Sequence, residues 1–116
     1  MRRGDVYLAD LDPARGREAA KRRPVVVVSH NALNRTAASL GRGVVTVVPL
    51  TSNVAGVHPF QVLVPAGTAG LDRASKAQAE QVRAIAIERL GPRPVGALDV
   101  ASLAALDDAL RLHLAL

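Results

Sequence analysis

Arg23, Glu18 and Thr51 are the side chains whose types and placement in this sequence suit a reaction. Arg23 closes a run, RGREAAKRR, that puts five basic side chains into the nine positions 15–23 before the chain enters PVVVV. An arginine is always charged, and its planar fork matches two oxygens of a phosphate. It can therefore stabilise charge on phosphorus, but for the same reason it is a poor general base. Pro24 pushes Arg23 into an extended backbone conformation. The β-branched residues behind it predict a stiff strand, so the guanidinium starts from a fixed base. Glu18, in the same loop, offers a carboxylate that can accept a proton. Thr51, just after Pro49, offers a hydroxyl that can donate to a phosphate oxygen or orient a leaving group. These groups fit cleavage of RNA, which carries its own nucleophile in the 2′-hydroxyl. Each has a plainer role as well. Glu18 can be a surface ion pair with Lys21 or Arg22, worth little; Thr51 can be a strand-end hydroxyl, and the basic run a solvated surface. The residues alone leave both readings open.

Other chemistries find less support. There are no cysteines, and His30, His58 and His113 stand apart from one another and from carboxylates at ligand spacing, so no metal site and no cofactor is expected. No phosphate-binding Gly-rich loop, dinucleotide fingerprint or nucleophile elbow occurs, and Ser29 lacks the glycines of a hydrolase serine.

The charge balance agrees with a polyanionic partner. The net charge is +5 over 116 residues. Residues 1–58 hold nine basic and four acidic groups, and residues 59–116 hold six of each, so the whole excess lies in the first half. A one-sided basic patch points to nucleic acid or to a solvated basic surface.

The elements that must position these groups follow from pattern. One domain spanning 1–116 is expected, large enough to bury roughly two thirds of its unfolded surface. GDVYLADLD alternates as a half-buried strand, and Asp12-Pro13 breaks it. Residues 12–22 read as a polar loop turning at Gly16. PVVVVSH and GVVTVVPLT are strands covered on both faces. Pro49 is expected to end or bulge the second of these, leaving Leu50 to Asn53 as loop. NALNRTAASLGRG has weak helical content, PFQVLVP (59–65) is a fourth strand, and AGTAGLDR is a turn. SKAQAEQVRAIAI, with Gln81 and Arg83 alternating against Val82 and Ala84, reads as strand. RLGPRPVGAL is a connector. Asp99 caps a C-terminal amphipathic helix that faces inward with Val100, Leu103, Leu106, Leu110 and Leu114. Strands this close together, without helical crossovers, predict a mainly β chain: an antiparallel, strongly curved sheet or small barrel. The longest apolar runs fall short of a membrane span, and MRRGDVYLADLD lacks the apolar segment of a secretion signal. A cytoplasmic protein is expected.

GDVYLADLDPARGREAAKRRPVVVVS, followed by VVPLTSN, HPFQVLV and EQVRAI, resembles the MazF/PemK toxins of bacterial toxin–antitoxin pairs. The likeness runs in order over nearly the whole chain. It implies an SH3-like β-barrel of the MazF/CcdB toxin type with a C-terminal helix, and a homodimer, which the 49% apolar composition also suggests. It implies a metal-independent endoribonuclease that cuts single-stranded RNA at a short sequence, leaving 2′,3′-cyclic phosphate and 5′-hydroxyl ends. A cognate acidic, MazE-like antitoxin would neutralise it, and DNA binding is implied only for the toxin–antitoxin complex. By motif position the resemblance assigns Arg23 as the phosphate-stabilising and acid residue, Thr51 as its hydroxyl partner, and Glu18 as a loop carboxylate. Arg15, Arg17, Lys21, Arg22, Ser52, Asn53, Gln81 and Arg83 would contact RNA, Gln81 and Arg83 from a strand that lines the groove or the dimer interface. Where the family often has Gly-Ser-Glu-Gln-x-Gly, this chain reads Gly16-Arg17-Glu18-Ala19-Ala20-Lys21, which alters the loop that flanks the reacting groups.

Two non-enzymatic readings share the fold. A gyrase-binding toxin of the CcdB type would need an aromatic anchor near its C-terminus, and this chain ends RLHLAL. A non-catalytic RNA-binding barrel would lean on aromatic platforms, and Tyr7 and Phe60 are the only aromatic residues.

Overall fold

The computed structural model of the chain describes residues 1–11, 15, 16 and 21–116. Seven strands form one curled antiparallel sheet, a partly closed barrel, with a helix against each side. In chain order these are β1 (Asp5–Asp10), β2 (Arg22–Val27), α1 (Asn31–Leu40), β3 (Val44–Thr51), β4 (Gln61–Val64), β5 (Ser75–Gln78), β6 (Arg83–Ala86), β7 (Gly96–Ala97) and α2 (Val100–Leu114), with 3-10 turns at Ala79–Gln81 and Ile87–Arg89. The sheet runs β4-β5-β3-β2-β1-β7, and β6 pairs with the other part of β3's outer edge.

The valine runs are buried on both faces, as their composition predicts. Val26 and Val48 face α2 together with Val6, Leu50, Leu106 and Ala109. Val25, Val27, Val45 and Val47 face the other way, onto Tyr7, Ala9, Leu11, Ile85 and Ala37 of α1. Each buried valine contributes about 1.5–3 kcal/mol, so β2 and β3 anchor both halves of the core. Asp99 caps α2 as expected, its Oδ1 accepting from the Ser102 N–H at 2.7 Å.

Three expectations need correction. Pro49 does not end β3, because it sits where that strand exchanges one neighbour for another. Val44–Val47 pair with β6, and Leu50 and Thr51 pair with β5. The missing N–H falls in the gap between the two partners, so Leu50 and Thr51 stay in the strand and the loop starts at Ser52. SKAQAEQVRAIAI is two strands rather than one, broken by the turn at Ala79–Gln81. On α2, Val100 is 88% and Leu114 49% exposed, so neither is packed in the core.

Candidate active site

Two prolines shape the open end of the β2–β3 ladder. Val28 N–H donates to Thr46 O at 2.9 Å, so the even-numbered residues of β2 direct their N–H groups toward β3. Pro24 is the position where the next such bond, to Leu50 O, would form, and it has no proton to give. Pairing accordingly stops at Val25 opposite Pro49. Two residues further, the same register sets Arg23 across from Thr51, on one face of the sheet. Antiparallel strands that stop pairing are free to part, and here they open a cleft of about 400 Å³ with Arg23, Pro24, Leu50 and Thr51 on its walls.

Arg23 is held from behind. Its backbone lies opposite Ala9 in the ladder with β1, which continues to Asp10 opposite Arg22. The Leu11 N–H then donates to Lys21 O at 3.0 Å, closing the base of the loop. Lys21 itself has φ 65, a left-handed conformation that lysine seldom adopts, at the point where the chain enters β2. Thr51 Oγ1 accepts from the Asn53 N–H at 3.2 Å. That leaves the hydroxyl proton to be donated elsewhere, as a phosphate oxygen would require.

Of the residues singled out from the sequence, Lys21, Arg22, Arg23, Thr51 and Ser52 meet on this cleft. Asn53 turns the chain away instead, its Oδ1 accepting from the Ala55 N–H at 3.3 Å. Arg15 is exposed and off the cleft wall. Glu18 and Arg17 lie outside the described residues. Gln81 and Arg83 are elsewhere. Gln81 is in the 3-10 turn rather than on a strand, and Arg83 opens β6 opposite Val47. That pairing places Arg83 four residues back along β3 from Thr51, about 13 Å at strand rise. Both line a separate cleft of about 280 Å³ with Glu80 and Val82. There Gln61 Nε2 donates to Glu80 Oε2 at 2.6 Å, while Glu80 Oε1 and Arg83 Nη1 are buried without a hydrogen-bond partner.

Asp72, Arg73 and Ser75 line the main cleft opposite β2, and none was singled out from the sequence. Their segment, AGTAGLDR, reads as a turn, and the one signal available was a charged pair placed on it. Two of the histidines have structural work. His30 caps α1, its Nδ1 accepting from the Ala32 N–H at 3.0 Å, and the His58 ring stacks on Phe60 with centroids 5.2 Å apart.

Comparison with known proteins agrees with this arrangement. Residues 2–114 match the family described as PemK-like, MazF-like toxin of type II toxin-antitoxin system. The chain is 61% identical over 114 residues to endoribonuclease MazF9 of Mycobacterium tuberculosis (strain ATCC 25618 / H37Rv), covering 98% of this chain and 96% of that protein. It is 33% identical over 117 residues to endoribonuclease EndoA of Bacillus subtilis (strain 168), covering 100% and 96%. A solved mycobacterial endoribonuclease in complex with its cognate antitoxin superposes with a TM-score of 0.78 at 26% identity, over 100% of this chain and 96% of that one. With its curled sheet, its C-terminal helix and a cleft at the Arg-Pro strand, the chain belongs to the PemK-like, MazF-like toxin family.

Proposed function

We propose that the chain, as a single domain spanning 1–116, is a metal-independent endoribonuclease and the toxin of a type II toxin–antitoxin pair, acting in the cytoplasm. The observation that carries this reading is the placement of Arg23 and Thr51 on one face, across a ladder that Pro24 leaves open. A single RNA strand laid over that opening presents its phosphate between a fixed guanidinium and a hydroxyl. The 2′-oxygen then attacks phosphorus, a bond from O2′ to phosphorus forms, and the bond to the 5′-oxygen breaks. Arg23 and Thr51 donate to the non-bridging oxygens, where charge develops. The 2′ proton passes to a carboxylate, for which the family resemblance supplies Glu18. The 5′-oxygen leaves as a hydroxyl by taking a proton from Arg23, which regains one from solvent water, so the guanidinium stays charged. Lys21 and Arg22 hold the backbone by charge.

Support for an RNA-cutting enzyme comes from the relatives named endoribonucleases. Support for an antitoxin comes from the relative solved with its own. An acidic antitoxin segment would be drawn to the same cationic cleft and would exclude RNA from it. A second copy of the chain would cover part of its exposed apolar surface as a homodimer. No helix among the described residues is long and apolar enough to cross a membrane.

The test is incubation of the purified protein with a long single-stranded RNA in EDTA, followed by sequencing of the ends. Cyclic-phosphate and 5′-hydroxyl ends at a recurring short sequence are expected. RNA bound but left intact, or cleavage abolished by EDTA and restored by magnesium, would overturn the proposal.

A further inference from the structure

The wall of the cleft opposite Arg23 is built with unusual rigidity. Residues 65–74 form the turn between β4 and β5, and hydrogen bonds cross it repeatedly. Gly67 N–H donates to Leu71 O at 2.8 Å and Leu71 N–H to Thr68 O at 2.9 Å. Thr68 Oγ1 donates to Pro65 O at 2.7 Å, and Ser75 Oγ to Arg73 O at 3.1 Å. Leu71 is buried in the core beneath α2. Backbone also packs directly on backbone at its tip. Gly70, with φ +76, passes so close to the 95–96 segment that an added Cβ would lie 2.0 Å from Val95 O, and a Cβ on Gly96 would lie 2.3 Å from the Ala69 carbonyl carbon. Neither position can carry a side chain without moving the turn.

This fixed turn ends by presenting Arg73, exposed on the cleft. Its side chain makes no hydrogen bond or ion pair with another described residue. The turn therefore presents a cation that the fold itself does not use, across from the basic wall of Lys21, Arg22 and Arg23. A cleft of about 400 Å³ is within the usual range for a small bound ligand, about 300–1,000 Å³, so it takes little more than the reacting nucleotide. A strand crossing from β2 to the turn must bring a second phosphate past Arg73. Asp72 stands beside it on the same wall, and a carboxylate there repels phosphate.

We infer that Arg73 is a specificity-side anchor that binds an RNA phosphate next to the scissile one, and that Asp72 opposes it, so that the pair sets where the strand leaves the cleft. This rests on the RNA-cleaving reading above, with Arg23 keeping the scissile phosphate. Because the turn is fixed before RNA arrives, little ordering is required of the protein when the phosphate binds.

The experiment measures anisotropy of a fluorescein-labelled 2′-O-methyl oligouridine, which cannot be cut, across a salt series, with cleavage kinetics of an unmodified RNA in parallel. Arg73→Ala is expected to weaken binding roughly three- to fivefold at low salt. It should flatten the slope of log affinity against log salt by about 0.7, the value for one single-strand phosphate contact. KM should rise with kcat unchanged, and Arg73→Lys should restore the slope. Asp72→Asn should tighten binding, an effect of opposite sign that loss of fold cannot imitate. Arg35→Ala, on the exposed face of α1, is the control and should change nothing. An unchanged salt slope in Arg73→Ala, or a fall in kcat at constant KM, would overturn the assignment, as would weaker binding by Asp72→Asn. If the wild-type protein cut no RNA while these binding shifts appeared, Arg73 would stand as a phosphate anchor and the nuclease reading would fall.

Discussion

β2 leads to a different kind of surface at each end. At its start, Arg22, Arg23 and Pro24 line the cationic cleft; past its end, Val28 and Ser29 line a groove of about 500 Å³ against α2, walled by Leu110 and Leu114. The charges there are already engaged. Arg3 Nη2 meets Asp107 Oδ1 at 2.6 Å and Arg3 Nε donates to Val28 O at 2.8 Å. In the cleft, by contrast, Arg22 and Arg73 make no side-chain hydrogen bond among the described residues. Near the closed end of the strand the cation Arg3 is thus tied into the fold, while at the end where a proline interrupts the ladder Arg22 and Arg73 are exposed to solvent. A missing N–H at one position separates an adhesive surface from a receptive one.

The largest effect on this contrast should come from Arg23. Arg23→Ala is expected to lower turnover by at least about 10² to 10³, the usual cost of removing one preorganised donor at a developing oxyanion. Arg23→Lys should recover little of it, because the charge stays and the fork is lost. Single-turnover cleavage at saturating RNA reads this directly, and wild-type-like turnover in Arg23→Lys would show that bulk charge suffices.

Pro24→Val addresses the cause of the contrast. It returns the N–H that can bond Leu50 O, so the ladder should extend by a rung and the cleft should narrow. The residue-24 amide should exchange slowly with solvent, and turnover should drop about tenfold or more, since a displacement near 1 Å can cost up to 10². Fast exchange at that amide would show that the strands are held apart by something other than the proline.

Arg3→Ala should act at the other end and leave catalysis alone. The Arg3 and Asp107 side chains are each 29% exposed, so the pair is partly screened and its loss should cost about 1 kcal/mol. Chemical denaturation gives that figure, and RNA turnover per folded molecule should match the wild type.

The smallest effect is a pH dependence at the start of α2. The Ser102 backbone N–H, followed by the Ser102 side chain, holds the Asp99 carboxyl below its ordinary value of 3.8. A carboxyl lowered by folding stabilises the folded chain above its ordinary value, and this contribution fades as pH falls through the lowered one. The helix should therefore fray sooner in acid. Asp99→Asn keeps the capping oxygen without titrating, so its melting temperature should fall less than that of the wild type between pH 5 and pH 3. Parallel curves would remove Asp99 as the cause.

Much of this was legible in the sequence where one physical signal acted alone. Consecutive β-branched residues meant strands buried on both faces, and Asp99 before an apolar period of three to four meant a capped helix. The Arg-Pro strand start was legible by motif, and the motif also picked out Thr51, which the structure keeps in β3 rather than in the expected loop. The signal failed where position in the tertiary fold outweighed local preference. Pro49 reads as a strand end, and only the exchange of β6 for β5 along β3 makes it tolerable. Val100 and Leu114 fit the apolar period of α2, but Val100 is exposed at the helix start and Leu114 only walls an open groove. Gln81 alternates as a strand residue should, but the chain must turn there to move between the two partners of β3. Arg73 was invisible because its setting depends on Gly70 meeting Gly96, a contact between residues 26 positions apart.

β4 is four residues long and ends the sheet on one side, with Pro59 before it and Pro65 directly after it. A strand edge exposes donors and acceptors that can template pairing with another chain, the first step toward aggregation. This chain is 49% apolar and would be prone to that fate at the concentrations reached during overexpression. A short edge flanked by prolines offers too few consecutive groups for a foreign strand to register against. The opposite margin is closed by β7, two residues long. Short strands at these two margins leave little edge for a foreign chain to pair with.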